Sequence, residues 1–426
     1  MGKLGLKTYQ CILRVAVELL DFFPPRKLEK EEFALRKGNL PEGYQAPDDG
    51  SIWVHGASLG EVITLRPFIK ELARIYGKER IVCTATSVDG LRQLQKDELC
   101  GFATLMPIEL PDFVIPFIEK IKPRIMLINE TEIWPLLLDT LKQRNIPYGI
   151  VNGRINEKSV RMMRLAWSIF ESGISGMSFA FPQEKQYLRR FRILGIETEK
   201  QQALGCFKYD IASAAMPDVA EIRKQYGFPE GRKYICFGST HPGEETQILD
   251  AVAPLLEEHN IGIILAPRHV KRTQEVVDIL DERKLSFKKL SDKTCGDSKI
   301  ILVDSMGVLR NLYAVSDLAY VGGSLIKRGG HNLMEPAAFS KPIIAGPHNF
   351  NFRYEVMALN SAKAIRIVKD SVELHRAIQD WLNDSTPFAE MGKRSREVLD
   401  SMSGTTNRTI EALQKLGLLP LCQTSK

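Results

Sequence analysis

The sequence predicts an α/β protein of two doubly wound domains, each a parallel sheet with helices on both faces. Short, continuously apolar runs alternate with longer helical stretches, which is typical of parallel strands buried between helices. This pattern occurs twice along 426 residues, a length that suits two domains with separate cores. A hydrophobic fraction of 44% with 26% charged residues indicates a globular protein and excludes a wholly disordered chain.

The same composition excludes other classes of protein. No stretch approaches about 18 consecutive apolar residues, so a polytopic membrane protein is excluded. The net charge of +6 is too diffuse to predict a nucleic-acid partner, although it suits an anionic membrane surface or a phosphorylated substrate. The seven cysteines form no Cys-x-x-Cys pair, so neither structural zinc nor a disulfide framework is expected, and a reducing compartment is favoured.

The first predicted element is an amphipathic helix over residues 3–23. Its polar side chains recur every three or four positions and form one narrow stripe: Lys3, Lys7, Gln10, Arg14, Glu18 and Asp21. Pro24 and Pro25 are expected to end it. The polar stripe excludes a spanning helix, and a signal peptide would need an uninterrupted apolar core. Two interpretations stay open: a helix lying in a membrane interface, or a helix packed on the protein's own body.

Ten buried strands are predicted, five in each domain. They fall at 51–55, 80–85, 124–129, 148–152 and 177–181, and again at 234–238, 262–267, 299–304, 318–322 and 342–346. The join is expected near residues 205–216, which divides the chain into a helix and connector (1–45), a first Rossmann-like domain (46–211) and a second (212–426). Ligands of open α/β sheets bind beyond the carboxyl ends of strands, so candidate residues are sought there.

Two carboxylate motifs follow strands of the first domain. Residues 55–61 leave a strand and open a helix, with glycines that allow close backbone approach and Glu61 in the first helical turn. The alternative is that Glu61 is only a helix-dipole carboxylate in a tight turn. Glu130 and Glu132 follow another strand, and an extended backbone would point them to opposite sides, so only one is expected to face a ligand. A solvated carboxylate at a strand end is the alternative for this pair.

Three segments of the second domain have the donor groups that a phosphate ester needs. Residues 237–245 offer backbone N–H groups and hydroxyls, and residues 266–272 carry a cluster of cations, although a solvated basic loop is an alternative for the latter. In residues 321–336, two glycine pairs precede His331, Asn332 and Glu335 at a predicted helix start. Such glycines let a ligand reach the main chain, and a carboxylate placed like Glu335 commonly holds the ribose of a nucleotide sugar.

Together with residues 152–154, 205–210 and 347–352, these segments resemble the 3-deoxy-D-manno-octulosonic acid (Kdo) transferases of lipopolysaccharide synthesis. The motifs occur in the family's order between about residues 51 and 355. The resemblance implies a GT-B fold, with two Rossmann-like domains facing across a cleft. It also implies inverting transfer of Kdo from CMP-Kdo to a lipid A precursor, with the acceptor bound by the first domain and CMP by the second.

The same resemblance assigns roles to individual residues. Glu61 matches the proposed general base, while Glu130 and Lys208 match positions thought to support the transition state. The segments that match the CMP-binding positions comprise Arg268, His269, Met306, Gly307, Val308, Asn332, Leu333, Met334 and Glu335. No metal or other cofactor is expected.

The resemblance further implies attachment to the cytoplasmic face of the inner membrane, peripheral or monotopic. The polar stripe of the first helix departs from the more continuously apolar anchor of many members. Two other functions stay open: a GT-B enzyme using a UDP-sugar, and a non-catalytic, membrane-bound protein that binds a sugar nucleotide. Competition between CMP and UDP distinguishes the enzyme that uses a UDP-sugar from the Kdo transferase. The presence of Glu61, Glu130 and Lys208 argues against the non-catalytic protein.

Overall fold

A computed structural model of the chain describes residues 2–22, 30–40, 44–212, 217–292 and 298–421. It confirms the α/β fold with two parallel sheets, each in its own compact unit. The first unit comprises Met1–Ile211 with Ser403–Lys426, and the second comprises Ala212–Met402. Pro24 and Pro25, the predicted end of the first helix, and positions 213–216 of the predicted join lie outside the described residues.

The first unit contains a six-stranded sheet in the order β3-β2-β1-β4-β5-β6, in which all paired strands are parallel. Its strands are β1 (Ser51–His55), β2 (Ile81–Ala85), β3 (Phe102–Leu105), β4 (Pro123–Asn129), β5 (Tyr148–Gly153) and β6 (Phe179–Pro182). Its helices up to the join are α1 (Gly2–Phe22), α2 (Lys30–Arg36), α3 (Leu59–Tyr76), α4 (Val88–Asp97), α5 (Pro111–Ile121), α6 (Pro135–Gln143), α7 (Glu157–Leu165), α8 (Trp167–Ser175), α9 (Lys185–Ile193) and α10 (Phe207–Ala212).

The second unit contains a seven-stranded parallel sheet in the order β13-β12-β11-β7-β8-β10-β9. Its strands are β7 (Lys233–Thr240), β8 (Ile261–Pro267), β9 (Lys288–Lys289), β10 (Ile300–Leu302), β11 (Leu318–Val321), β12 (Ile343–Ala345) and β13 (Arg366–Ile367). Its helices are α11 (Val219–Tyr226), α12 (Glu244–Glu258), α13 (Thr273–Glu282), α14 (Leu309–Val315), α15 (Met334–Ala337), α16 (Arg353–Ser361), α17 (Ser371–Asn383) and α18 (Thr386–Met402).

Both faces of the first sheet are buried, which explains why its strands are apolar throughout. Along β1, Ile52 and Val54 belong to a core on one face, whereas Trp53 belongs to the core on the other. The chain order reverses direction between β1 and β4 in this sheet, and between β7 and β11 in the second. Such switch points open a crevice at the carboxyl ends of the strands, where ligands bind in this class of fold.

The last helix, α19 (Thr405–Lys415), corrects the predicted domain boundaries. It was expected in the second domain, but its Ile410 and Leu413 lie in the core beneath α3 of the first unit. Asp210, in the first turn of α10, accepts hydrogen bonds from the N–H groups that open α19, at 2.6 Å from Gly404 and 2.7 Å from Thr406. The chain therefore returns to the first unit after residue 402.

Helix α1 packs on the body of the first unit by one face. Leu6 and Val17 are buried against Leu110 and Leu136, and Gly5 approaches α8 so closely that a Cβ atom would overlap Ser168. A second face, which we call the outer strip, stays exposed and consists of Leu4, Ile12, Val15 and Leu19, whose exposure ranges from 56% to 74%. Packing of the helix on the protein's own body is thus confirmed for one face, and the membrane interface stays a prediction for the exposed face. Among the described residues, no helix is long and apolar enough to span a membrane.

Candidate functional site

Glu61 lies where β1 ends and α3 begins, at the switch point of the first sheet. Ser58 caps α3, and the Glu61 carboxylate turns back over the cap, as in a capping box. Its Oε2 accepts from the Ala57 N–H at 3.1 Å, and its Oε1 accepts from the Ser58 hydroxyl at 3.1 Å. Both oxygens are thereby held in place, so Glu61 has a fixed position at the strand end and also lies in the first turn of α3, as the helix-dipole alternative describes.

A chain of buried amides supports Glu61 from behind. The side-chain amide of Asn129, the last residue of β4, donates to Glu61 Oε2 at 3.2 Å. Asn152 of β5 donates to Asn129 Oδ1 at 3.0 Å, and accepts from the N–H of Phe207 at 3.4 Å. Asn129 and Asn152 are almost completely buried. This series of hydrogen bonds connects Glu61 to the start of α10, and the role of the two amides was not predicted.

Glu130 and Glu132 do not alternate as an extended backbone would require. Glu130 has φ 55°, in the left-handed region that non-glycine residues rarely adopt, so the strand geometry ends at Asn129. The backbone is therefore not extended at Glu130 as we expected, while the idea that one of the two glutamates faces a ligand stays a prediction. Burial raises the pKa of both carboxyl groups, and the nearby charge of Glu61 raises each further. The three carboxylates form one electrostatically coupled cluster.

Two cations lie beside this cluster. The charges of Arg154 and Lys208 both lower the pKa of Glu130, against the larger effect of burial. Lys208 lies on α10, whose Asp210 is tied to α19 as described above, so the short helix has a fixed position. The structure thus brings together all three predicted catalytic residues, Glu61, Glu130 and Lys208, within the first unit.

The second unit contains a pocket of about 370 Å³ at the switch point between β7 and β11. It is lined by Ser239, Arg268, Leu309, Tyr313, His331, Asn332, Glu335 and Phe352. Ser239 is preceded by Gly238, where a Cβ atom would lie 2.0 Å from the Tyr313 hydroxyl, so a side chain is excluded at this position. Three predicted nucleotide-binding residues, Arg268, Asn332 and Glu335, therefore line one cavity.

Glu335 is the half-buried carboxylate of this pocket. Asn332 Nδ2 donates to its Oε1 at 3.2 Å, while Asn332 Oδ1 accepts from the Met334 N–H at 3.1 Å. Burial raises the pKa of Glu335, and Arg310 and Arg268 offset part of that rise. The helix expected here is only the short α15, so its dipole contributes little, and the pocket's positive potential depends on side-chain cations.

Other predicted residues lie outside the lining of the pocket. Met306 is 78% exposed, and Leu309 rather than residues 306–308 contributes to the cavity wall from that turn. The side chains of Leu333 and Met334 are fully buried in the core, so only their main-chain groups remain for a ligand. His269 is packed edge-on against His241, at a centroid distance of 5.9 Å.

The expected phosphate cradle at residues 237–245 has a different construction. Glu244 is fully buried and accepts hydrogen bonds from the N–H groups of Gly323 at 2.6 Å and Ser324 at 3.0 Å. Glu245 is equally buried and pairs with Arg272 at 2.9 Å. The two carboxylates therefore support the turn after β11 and the loop after β8, and Ser239 is the residue of this segment that lines the pocket.

Comparison with known proteins agrees with this architecture. At the level of fold, the chain is similar to the crystal structure of UDP-GlcNAc 2-epimerase from Neisseria meningitidis, with a TM-score of 0.59, 13% identity and coverage of 86% of this chain and 100% of that chain. It is likewise similar to a glycosyltransferase from Rickettsia africae, with a TM-score of 0.57, 14% identity and coverage of 87% and 99%. The two-sheet architecture is thus that of GT-B glycosyltransferases and related epimerases.

Sequence comparison identifies the family within that class. A family model described as 3-deoxy-D-manno-octulosonic-acid transferase (kdotransferase) matches residues 29–211. The 3-deoxy-D-manno-octulosonic acid transferase of Haemophilus influenzae is 31% identical over 414 residues, which cover 95% of each chain. The chain belongs to the 3-deoxy-D-manno-octulosonic acid transferase family and is a glycosyltransferase.

Proposed function

We propose that this protein transfers Kdo from CMP-Kdo to a lipid A precursor, with Glu61 as the general base. The observation that carries the proposal is the fixed carboxylate of Glu61 at the carboxyl end of β1. Both of its oxygens are oriented by hydrogen bonds from Ala57, Ser58 and Asn129. A general base needs a held position near the proton that it removes, and the hydrogen bonds to Glu61 support such a role by holding its carboxylate.

The proposed reaction is a single inverting displacement. The acceptor hydroxyl oxygen attacks the anomeric carbon of Kdo while Glu61 takes its proton. The bond from that carbon to the phosphate oxygen breaks, and CMP leaves with the electron pair. Glu130 supports the positive charge that develops at the anomeric carbon, and Lys208 compensates negative charge that develops on the reacting groups.

The pocket of the second unit is proposed to bind the CMP part of the donor. Glu335 has a carboxylate oxygen for the ribose hydroxyls, and Arg268 offers a guanidinium for the single phosphate. The surrounding positive side chains lead us to propose that no metal is required for donor binding.

The transfer is tested by incubating the protein with CMP-Kdo, generated in the reaction, and a lipid A precursor, and measuring the product mass. We expect an acceptor heavier by one or more Kdo residues, with no such product from Glu61→Gln. In parallel, CMP should compete with the donor and UDP should not. An unchanged acceptor mass with intact CMP binding would favour a binding protein, and competition by UDP alone would favour another sugar donor.

We also propose that the outer strip of α1 attaches the protein to an anionic membrane surface on the cytoplasmic side of the inner membrane. Four large apolar side chains remain exposed on α1 although its other apolar face is already packed. Lys7 is exposed on the same helix, and Met162 and Leu165 on α7 add exposed apolar area to this unit. Insertion of apolar side chains, with cations at headgroups, is how amphipathic helices bind interfaces.

The outer strip allows a sharper test than deleting the helix, because its residues contribute nothing to the core. Replacing Leu4, Ile12, Val15 and Leu19 by Gln should reduce co-sedimentation with anionic vesicles while the melting temperature stays unchanged. Val372→Gln with Met357→Gln, two exposed apolar residues of the second unit, is the matched control. Vesicle binding equal to that of the unaltered protein would show that the outer strip is not the attachment surface.

A further inference from the structure

Two histidines form a hydrogen-bonded pair at the edge of the pocket in the second unit. His241 Nε2 and His331 Nε2 are 2.8 Å apart, the ring centroids are 5.1 Å apart and the ring planes differ by 3°, so the two rings meet edge to edge through these nitrogens. His331 lines the pocket, whereas His241 follows the end of β7. Since two lone pairs cannot face each other at this distance, one ring carries a proton on Nε2 and donates it to the other.

This geometry accommodates one additional proton and no more. A proton added to Nδ1 of the donating ring makes an imidazolium that still donates through Nε2, so the hydrogen bond survives and becomes charge-assisted. A second proton would place two N–H groups against each other and break the contact. The pair is therefore built to exist in a neutral and a singly charged form.

The surroundings of the pair are predominantly cationic. The charged and titratable groups that face His241 are Arg328, Arg272, Glu245 and His269, and those that face His331 are Arg268 and His269. Glu244 accepts a hydrogen bond from the main-chain N–H of His241. Glu245 is already paired with Arg272, and Glu244 with the turn after β11. Burial, together with these cations, lowers the pKa of His331 to about 4 and also lowers that of His241. Without a bound anion, both rings of the pair are neutral near pH 7.

A bound anion reverses this balance. A phosphate ester in the pocket would neutralise Arg268 and place negative charge beside the His331 ring. Both changes favour the imidazolium, since a nearby opposite charge stabilises the charged form of a titratable group. The free energy of proton binding and that of anion binding are then linked, and each promotes the other.

We propose that the His241–His331 pair is an anion-linked proton site, which takes up one proton from solvent when the phosphodiester of a nucleotide sugar binds in the pocket. The inference rests on the proposed function for the class of donor. The added proton places a positive charge next to the phosphate without a metal ion. It also predicts that donor affinity rises as pH falls from 8 to 6, by up to about tenfold per pH unit where the free pair is neutral and the bound pair is charged.

The test uses a ligand that has a phosphodiester and does not itself titrate near neutral pH. The methyl ester of cytidine 5′-monophosphate meets this need, and cytidine, without phosphate, is its control. Calorimetric titrations in two buffers of different ionisation enthalpy give the number of protons taken up per bound ligand. We expect uptake of between about half a proton and one proton with the diester near pH 7, and none with cytidine.

Variants assign the proton to the pair. His331→Gln and His241→Gln should each abolish the uptake and flatten the pH dependence of diester affinity. His375→Gln is the matched control, because His375 lies on α17 with its Nδ1 bonded to the Ala251 carbonyl. Cytidine affinity and thermal melting measured on every variant identify any loss of folding, and the less perturbed of the two pair variants then decides the outcome.

The outcomes separate this inference from the proposed function. Diester binding and Kdo transfer without proton uptake would overturn the proton site and leave the transferase intact. Uptake that persists in both pair variants would also overturn it, because the proton would then bind elsewhere. A failure of the diester to bind at all would contradict the proposed donor as well.

Discussion

The two candidate sites occupy equivalent places in two similar sheets but differ in chemistry. In the first unit, the switch point between β1 and β4 holds three carboxylates with Arg154 and Lys208 beside them. In the second, the switch point between β7 and β11 holds a pocket with one half-buried carboxylate, an arginine and a histidine pair. The fold determines where a ligand binds, whereas the residues after each strand determine whether the site removes a proton or holds an anion.

The largest expected effect is at Glu61. Replacing it by Gln keeps the shape and most hydrogen bonds of the carboxylate but removes its basicity, so transfer should fall by roughly 10²–10⁴-fold. Product mass in a timed assay measures this loss. Glu71→Gln, a partly exposed residue of the same helix α3 that pairs with Arg74, should transfer at the unaltered rate. Comparable activity of the two variants would remove Glu61 as the base.

Glu109 allows the effect of burying a carboxylate in the first unit to be distinguished from the chemistry of the switch point. It accepts from the Tyr9 hydroxyl at 2.5 Å and the Leu136 N–H at 2.8 Å, and burial raises its pKa to about 7. Because this pKa is higher in the folded than in the unfolded protein, the contribution of Glu109 to the free energy of unfolding is fully present below about pH 4.5. It is lost as the pH rises through 7. The loss amounts to about 3 kcal/mol at most.

Chemical denaturation at pH 5 and pH 8 measures this contribution. Glu109→Gln should show a smaller fall in unfolding free energy between the two pH values while retaining Kdo transfer, in contrast to Glu61→Gln. An identical pH dependence in the variant would show that another group is responsible.

In the second unit, Glu335→Ala should weaken CMP binding by about 1–3 kcal/mol, since a charged hydrogen-bond acceptor is lost from the pocket. Calorimetric titration with CMP gives the value directly. Glu397→Ala, an exposed carboxylate on α18, is the control and should bind CMP as before. An unaltered affinity in Glu335→Ala would make this residue purely structural.

The smallest expected effect concerns Asn129, which touches Glu61 but is itself buried. Asn129→Ala should lower kcat by about tenfold, because the carboxylate loses one of the groups that orient it. The KM for the donor should not change, a distinction that general destabilisation would not produce. Asn156→Ala, which removes only a surface cap of α7, should leave both constants unchanged. A rise in the donor KM without a fall in kcat would contradict the positioning role.

All ten predicted strands exist, and the three that were missed share one property. β3, β9 and β13 lie at the edges of their sheets, where one side lacks a neighbour and the strand need not be apolar. β9 consists of two lysines, which no hydrophobic pattern could reveal. The central strands were predictable because burial on both faces imposes continuous apolar sequence.

The site was predictable in its residues more than in its geometry. Glu61 and Glu335 follow buried strands or glycine-rich turns, a local signal that sequence contains. The left-handed backbone of Glu130 and the contact between His241 and His331, 90 positions apart, depend on tertiary structure. Asn129 had a signal that could have been used: it ends an apolar run, as Asn152 does, and a buried amide there needs a polar partner.

The division of work between the units is tested most directly by a CMP titration of Glu61→Gln, made on the same preparation as its transfer assay. We expect a dissociation constant for CMP within about twofold of the unaltered protein, because the altered residue does not belong to the nucleotide pocket, together with loss of Kdo transfer. A CMP affinity at least tenfold weaker in Glu61→Gln, or transfer at the unaltered rate, would show that the two units do not have these separate roles.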